Sequence, residues 1–216
     1  MIFTKRKTLF FVLGLTLLGV CVTLIQLTDL GMSAWDAVNR NLYEGLHLPY
    51  SVLNPGVALI LISVAYLLQK KRFSLWFFFP LLISFYVGLV IDLLLLVVPS
   101  MVGVGLVWNL LYLAMAIVIC AIGLNFILYC EYPLPALDEL CNGIAKSLHT
   151  TFGKGKLIGE VIAIVLSVLL GFLFNFQDQW FFIGPTTLIF GLLIGFVVDG
   201  FQKTIFGFLD RTLHED

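Results

Sequence analysis

GMSAWDAVNRNLYEGLH, residues 31–47, is answered 102 positions later by PLPALDELCNGIAKSLH, residues 133–149, and this comparison decides how the chain is organised. Asp36 falls on Asp138 and His47 on His149, so both pairs keep a separation of eleven residues. The apolar set Trp35, Val38, Leu42 and Leu46 falls on Leu137, Leu140, Ile144 and Leu148. Just outside the two stretches, Asp29 falls on Glu131 and Tyr50 on Phe152. Apolar matches are cheap in a chain of this composition, but there are only three histidines and two of them fall in register. A second match needs a two-residue insertion: Pro80 with the ending Gly88-Leu-Val-Ile-Asp92 answers Pro185 with Gly195-Phe-Val-Val-Asp199. We read a duplication within a single membrane domain, 1–216, with residues 1–100 as one repeat and 101–216 as the other.

The environment of those repeats follows from composition. Hydrophobic residues make up 61% of the 216, charged residues 12%, and mean hydropathy is +1.07, whereas globular domains average about half apolar and a quarter charged. Six apolar runs approach the roughly 20 residues a spanning helix needs: 8–27, 52–68, 73–98, 106–129, 157–176 and 180–201. The long run after Asp92 is divided at 99–105, where Pro99 is followed by Gly103 and Gly105. Lys5-Arg6-Lys7 before the first run resembles the start of a signal peptide. The run is long, however, no small-residue cleavage site follows and five more runs come after, so the reading is an anchor that stays.

With the N-terminus in the cytoplasm, the inner segments hold Lys5, Arg6, Lys7, Lys70, Lys71, Arg72, Lys146, Lys154, Lys156, Lys203 and Arg211, and the outer ones only Arg40. Eleven against one fits the positive-inside rule, with both termini cytoplasmic. Three spans per repeat is an odd number, so the halves enter the bilayer from opposite sides. The expected fold is therefore an all-α polytopic bundle of six spans in two inverted three-helix repeats. A short amphipathic or re-entrant helix is expected after the first and fourth spans.

The first of these short helices begins at Ser33, a good N-cap, with Asp36 in its first turn where the helix dipole favours an acid. Asp36, Arg40, Glu44 and His47 share its polar face, opposite Trp35, Val38, Leu42 and Leu46. Two readings stay open. The helix and its counterpart lie on the membrane surface as solvated ladders, or they dip into the bundle and present Asp36, His47, Asp138 and His149 to a water-filled cavity. Asp92 and Asp199 lie within apolar runs, each four residues after a glycine, Gly88 or Gly195. Glycine lets a neighbouring helix approach that face, so both acids are expected to face the bundle interior and to take part in coupling to a cation or proton. Glu160, four residues after Lys156, reads first as an interfacial ion pair and otherwise as part of a solute pathway. Asn125 should bond across helices, and Pro55 frees a backbone carbonyl in the second span. Trp35, Trp76, Trp108 and Trp180 read as interface anchors.

Cys21, Cys120, Cys130 and Cys141 have no metal or redox spacing and read as reduced packing residues. No metal site, cofactor motif or enzyme signature is present. A net charge of −1 removes the main driving force for a nucleic-acid partner. The expected partners are the lipid bilayer and a small-molecule or ion ligand, with a homo-oligomer or a partner subunit left open.

Gly31-Met-Ser-Ala-Trp-Asp36, preceded by a glycine-bearing first span (Gly14, Gly19), resembles the glycine, small residue, Trp-Asp motif of the YczE/YyaS/YitT family of bacterial integral membrane proteins. Pro135-Ala-Leu-Asp138 stands where that family has a second short acidic motif. Residues 153–160 resemble its glycine-bearing start of the next span, and Gly184-Pro-Thr-Thr187, with Gly195 and Asp199, its glycine-threonine start of the last. The chain departs from the pattern at Ala34, where Pro is usual, and has no glycine-threonine pair around Phe79-Pro80. The resemblance implies a multi-pass protein of the bacterial plasma membrane and no particular substrate. Inverted repeats are common in secondary transporters, so the expected function is a small-solute transporter or permease, cation- or proton-coupled. The rival readings are a substrate-binding subunit of an energy-coupling-factor-like importer and a non-transporting regulatory or assembly protein.

Overall fold

In the computed structural model, which describes residues 5–28, 30–47, 50–72, 75–100, 103–174 and 183–213, the chain is all-helical. Asp29, Trp180 and the side chains of Asn54, Trp76 and Asp92 lie outside the described part. In chain order the helices are α1 (Lys5–Gln26), α2 (Ala34–Leu46), α3 (Tyr50–Leu68), α4 (Phe79–Leu95), α5 (Leu106–Cys130), α6 (Ala136–Ser147), α7 (Phe152–Leu173) and α8 (Pro185–Leu213). One 3₁₀ turn, Leu75–Phe78, precedes α4. Four helices, α1, α5, α7 and α8, are long and apolar enough to cross a membrane; the apolar stretches of α3 and α4 are shorter.

Local chemistry sets the ends of these helices. Pro80 sits at the start of α4, where its missing N–H costs nothing. Pro135 is the residue before α6, and Gly105 (φ 123°) before α5. The Thr151 hydroxyl accepts from the Lys154 N–H at the start of α7. Residues 96–100 and 103–105 form no helix, so the division at Pro99 is observed. Pro55 lies inside α3 without ending it.

Packing is closest where glycines meet. A Cβ added to Gly14 of α1 would lie 2.7 Å from the Gly123 carbonyl oxygen of α5, and one on Gly123 would lie 2.8 Å from that of Gly14. The two helices run antiparallel, since Phe10 meets Phe126 in an edge-on ring contact near one end and Gly123 lies against Leu18 further along. α4 lies parallel to α1, with Thr16 bonded to Tyr86 at 3.0 Å and Gly19 against Val90. α8 lies parallel to α5, where Asn125 Nδ2 donates to the Val198 carbonyl at 3.0 Å, the cross-helix bond expected of it. α7 and α8 are antiparallel around Gly153 and Gly195. Although α4 and α5 are consecutive in the chain, α4 packs on α1 and α3 while α5 packs on α1 and α8.

Large apolar side chains stand on the outer faces of the described residues: Phe85, Leu96, Phe172 and Leu173 are each at least 70% exposed. Such a surface suits hydrocarbon and not water. The short helices differ. α2 packs on α7, burying Ala34, Trp35, Ala37, Val38 and Asn41, and α6 packs on α3 and α7 with eight of its twelve residues buried. Both therefore pack within the bundle, although α2 keeps the expected Arg40–Glu44 ion pair on its half-exposed side. Trp35, expected at the interface, is buried in the core beside Ala65 and Ala163. Lys156, counted above among the inner loop charges, is buried within α7, which leaves ten basic residues against one in that asymmetry.

Candidate functional site

Every α-helix contributes to one internal cavity of about 250 Å³. Its apolar wall includes Leu18, Ile25, Trp35 and Phe190, and its polar wall Asp36, Asn39, Asp138, Lys156 and Glu160. Asp36 is brought there by the start of α2, where the Ser33 hydroxyl accepts from the Asp36 N–H at 3.3 Å and donates to the Asp36 carboxylate at 2.7 Å. The first bond is that of an N-cap; the second, made by the hydroxyl and not by the Ser33 backbone N–H, holds the carboxylate in place. Asp138 likewise lies in the first turn of α6, but the residue three before it is Pro135, which has no side-chain donor. Its partner is instead Lys156 of α7, with Nζ 2.7 Å from Oδ1 and both side chains about 5–6% exposed.

The ion pair expected between Lys156 and Glu160 is therefore made with Asp138. Glu160 lies one turn further along α7, 2% exposed, against Gly191 of α8. Its Oε2 has no hydrogen-bond partner, and neither have Asn39 Oδ1 and Trp35 Nε1 on the same cavity. Glu160 is attracted by Lys156 and repelled by Asp36 and Asp138. A buried polar atom without a partner costs about 1–3 kcal/mol, so three around one cavity mark a place shaped for something other than packing.

The remaining sequence candidates lie elsewhere. His47 and His149 are exposed at the ends of α2 and α6 with left-handed backbones, φ 53° and 51°, so their matched positions are helix ends and not cavity walls. Asp199 faces protein, accepting from the Thr151 hydroxyl at 2.5 Å and from the Gly153 N–H at 2.9 Å. It holds the start of α7, away from the cavity. The Asp92 side chain lies outside the described residues. Sequence reasoning missed Lys156, Asn39 and Trp35 as cavity residues. The signal available for the first was a Lys and a Glu one helical turn apart, followed by an uninterrupted apolar run.

A second cavity, about 540 Å³, lies by the end of α3 between Tyr66, Arg72, Tyr132 and Lys146. It is larger, but its buried acid is satisfied: Glu139 accepts from Lys71 at 2.6 Å and from Gln69 at 2.8 Å. On the far side of α2, the loops before α2 and α8 close on each other. Met32 and Ile183 form an isolated parallel bridge, Thr187 Oγ1 donates to the Met32 carbonyl at 2.6 Å, and Thr186 N–H donates to that of Leu30 at 2.9 Å. Gly31 has φ 91°, and a Cβ on Gly184 would lie 2.3 Å from the Leu30 oxygen, so neither place admits a larger residue without a shift.

An all-helical chain with an apolar exterior and four helices of spanning length and hydropathy has the features of a membrane protein. Residues 5–203 match the family described as a family of unknown function (DUF6198), and the chain belongs to it. No curated protein and no solved structure matches.

Proposed function

We propose that this chain is a six-span permease for a small solute, built as two inverted three-span repeats in the plasma membrane with both termini cytoplasmic. The observation that carries the reading is the central cavity, where residues of all eight helices meet around buried polar atoms that lack partners. Solute sites in inverted-repeat transporters lie at such a repeat interface.

The helix contacts support the repeat. Exchanging α1 with α5, α2 with α6, α3 with α7 and α4 with α8 carries α1–α4 onto α5–α8, α3–α6 onto α7–α2, and α3–α4 onto α7–α8, while α1–α5 maps onto itself. Helix directions agree with six crossings, α1 being parallel to α4 and antiparallel to α5. The offset of 102 also recurs in detail: Asn41 donates to the Ser167 carbonyl at 3.1 Å, and the matching Gly143 lies against the Ala65 carbonyl. Kinship with the YczE/YyaS/YitT family belongs to the same reading and rests on the motifs at Gly31–Asp36 and Gly184–Thr187.

Two measurements test it. An impermeant thiol reagent added outside cells should label a single cysteine placed at Val104 and miss one at Lys70; the reverse pattern removes both the topology and the inverted repeat. Proteoliposomes of the purified chain should take up solute without ATP. Uptake that requires ATP and soluble subunits would move the reading to a substrate-binding component of an importer.

A further inference from the structure

We propose that the central cavity recognises a small organic cation, a protonated primary amine with a short apolar body, and that Glu160 is its anchor. The proposal rests on the permease reading of the same cavity and names its solute class.

Three carboxylates, Asp36, Asp138 and Glu160, face one ammonium, Lys156. Lys156 is held by Asp138 at 2.7 Å, and Asp36 has the Ser33 hydroxyl as its donor. Glu160 keeps an oxygen that is buried and unbonded, and a carboxylate oxygen can only be satisfied by a donor. The Asn39 side-chain oxygen is a second unbonded acceptor on the same wall. An ammonium group supplies both charge and several N–H donors, which matches an excess of negative charge and two free acceptors. The Trp35 Nε1–H is a free donor, so a hydroxyl or carbonyl oxygen on the ligand body is also accommodated.

The opposite charge does not fit. An anion would find its only cation already paired and would meet Glu160 and Asp36. A bare multivalent metal ion fits no better, since among the described residues no three His, Cys, Asp or Glu gather to hold one. Size sets the other limit. A cavity of 250 Å³ has room for about eight waters at roughly 30 Å³ each, below the range of drug-sized pockets. Leu18, Ile25 and Phe190 then face an apolar body, and Trp35 offers an aromatic surface of the kind that attracts cations.

The test uses the purified full-length protein and three isosteres that differ mainly in charge: benzylamine, benzyl alcohol and benzoate. Thermal shift and calorimetry should show saturable binding of the amine and none of the alcohol or the acid. Glu160→Gln should weaken the amine about tenfold or more, the loss of one charge-assisted hydrogen bond. Asp210→Asn, at an exposed residue far along α8, should change nothing. Equal binding of the alcohol, preference for benzoate, or the same shift from sodium ion alone would overturn the proposal, and these comparisons on the wild-type chain decide it even if Glu160→Gln fails to fold. Flux separates the two readings. Amine binding without uptake into proteoliposomes would sink the permease and leave the site standing. Uptake of a neutral or anionic solute by a chain that binds no amine would sink the site and leave the permease standing.

Discussion

α2 and α6, which the proposed repeat matches, solve the same problem differently. Each carries an acid in its first turn, each ends in a histidine with a left-handed backbone, and each packs on a long apolar helix. Asp36 is satisfied from within α2, by the Ser33 hydroxyl three residues earlier. Asp138 has Pro135 three residues earlier and is satisfied from outside, by Lys156 of α7. Further along, Asn41 reaches both the carbonyl and the hydroxyl of Ser167, whereas Gly143 lets the Ala65 carbonyl come close with no side chain between. In the proposed repeat, backbone placement is shared while the polar solution is not, so the cavity that both short helices line carries an asymmetric set of charged groups.

The comparison can be broken most forcefully at Lys156. Lys156→Met should lower unfolding stability in detergent by about 3–5 kcal/mol, because it leaves Asp138 buried without its counter-charge. Adding Asp138→Asn should recover most of that loss; no recovery would mean that Lys156 is held chiefly by Glu160 and that the two halves differ in some other way.

At the second contact, Asn41→Ala should cost about 1–3 kcal/mol by removing two buried hydrogen bonds between α2 and α7. Gly143→Ala should cost less than about 1 kcal/mol: its new Cβ meets the Ala65 oxygen at 3.3 Å, a contact relieved by a small shift. Equal losses, read by the same melts, would show that α6 is packed as tightly as α2.

Ser33→Ala should cost about 1 kcal/mol, the usual value of an N-cap, while Pro135→Ala should cost clearly less because no side-chain cap is lost there. The smallest effect belongs to the histidines. Gly relieves a left-handed backbone but adds freedom to the unfolded chain, so His47→Gly and His149→Gly should each change stability by less than about 1 kcal/mol, by similar amounts, and leave amine binding untouched. A large loss of binding from either would return these residues to the solute pathway.

Much of this architecture was legible in the chain as written. Apolar runs bounded by charge, the break at Pro99 and the cap at Ser33 are local signals, and helices follow from local signals because each closes its hydrogen bonds within a few residues. The recurrence of Asp and His at equal spacing pointed to a short helix in each stretch, and α2 and α6 are short helices. The roles of those residues depended on contacts between distant parts of the chain. Lys156 reads as one more loop charge until α7 is seen to begin at Phe152, and it meets Asp138 only because α6 lies against α7. Asp199 reads as a pathway acid, yet its oxygens cap the start of α7 from 46 residues away. The histidines repeat because both short helices end the same way, a backbone cause that spacing cannot distinguish from a shared ligand. Side-chain identity and period establish which segments are helical and apolar; which buried acid finds a donor, and which is left facing a cavity, depends on how those helices pack.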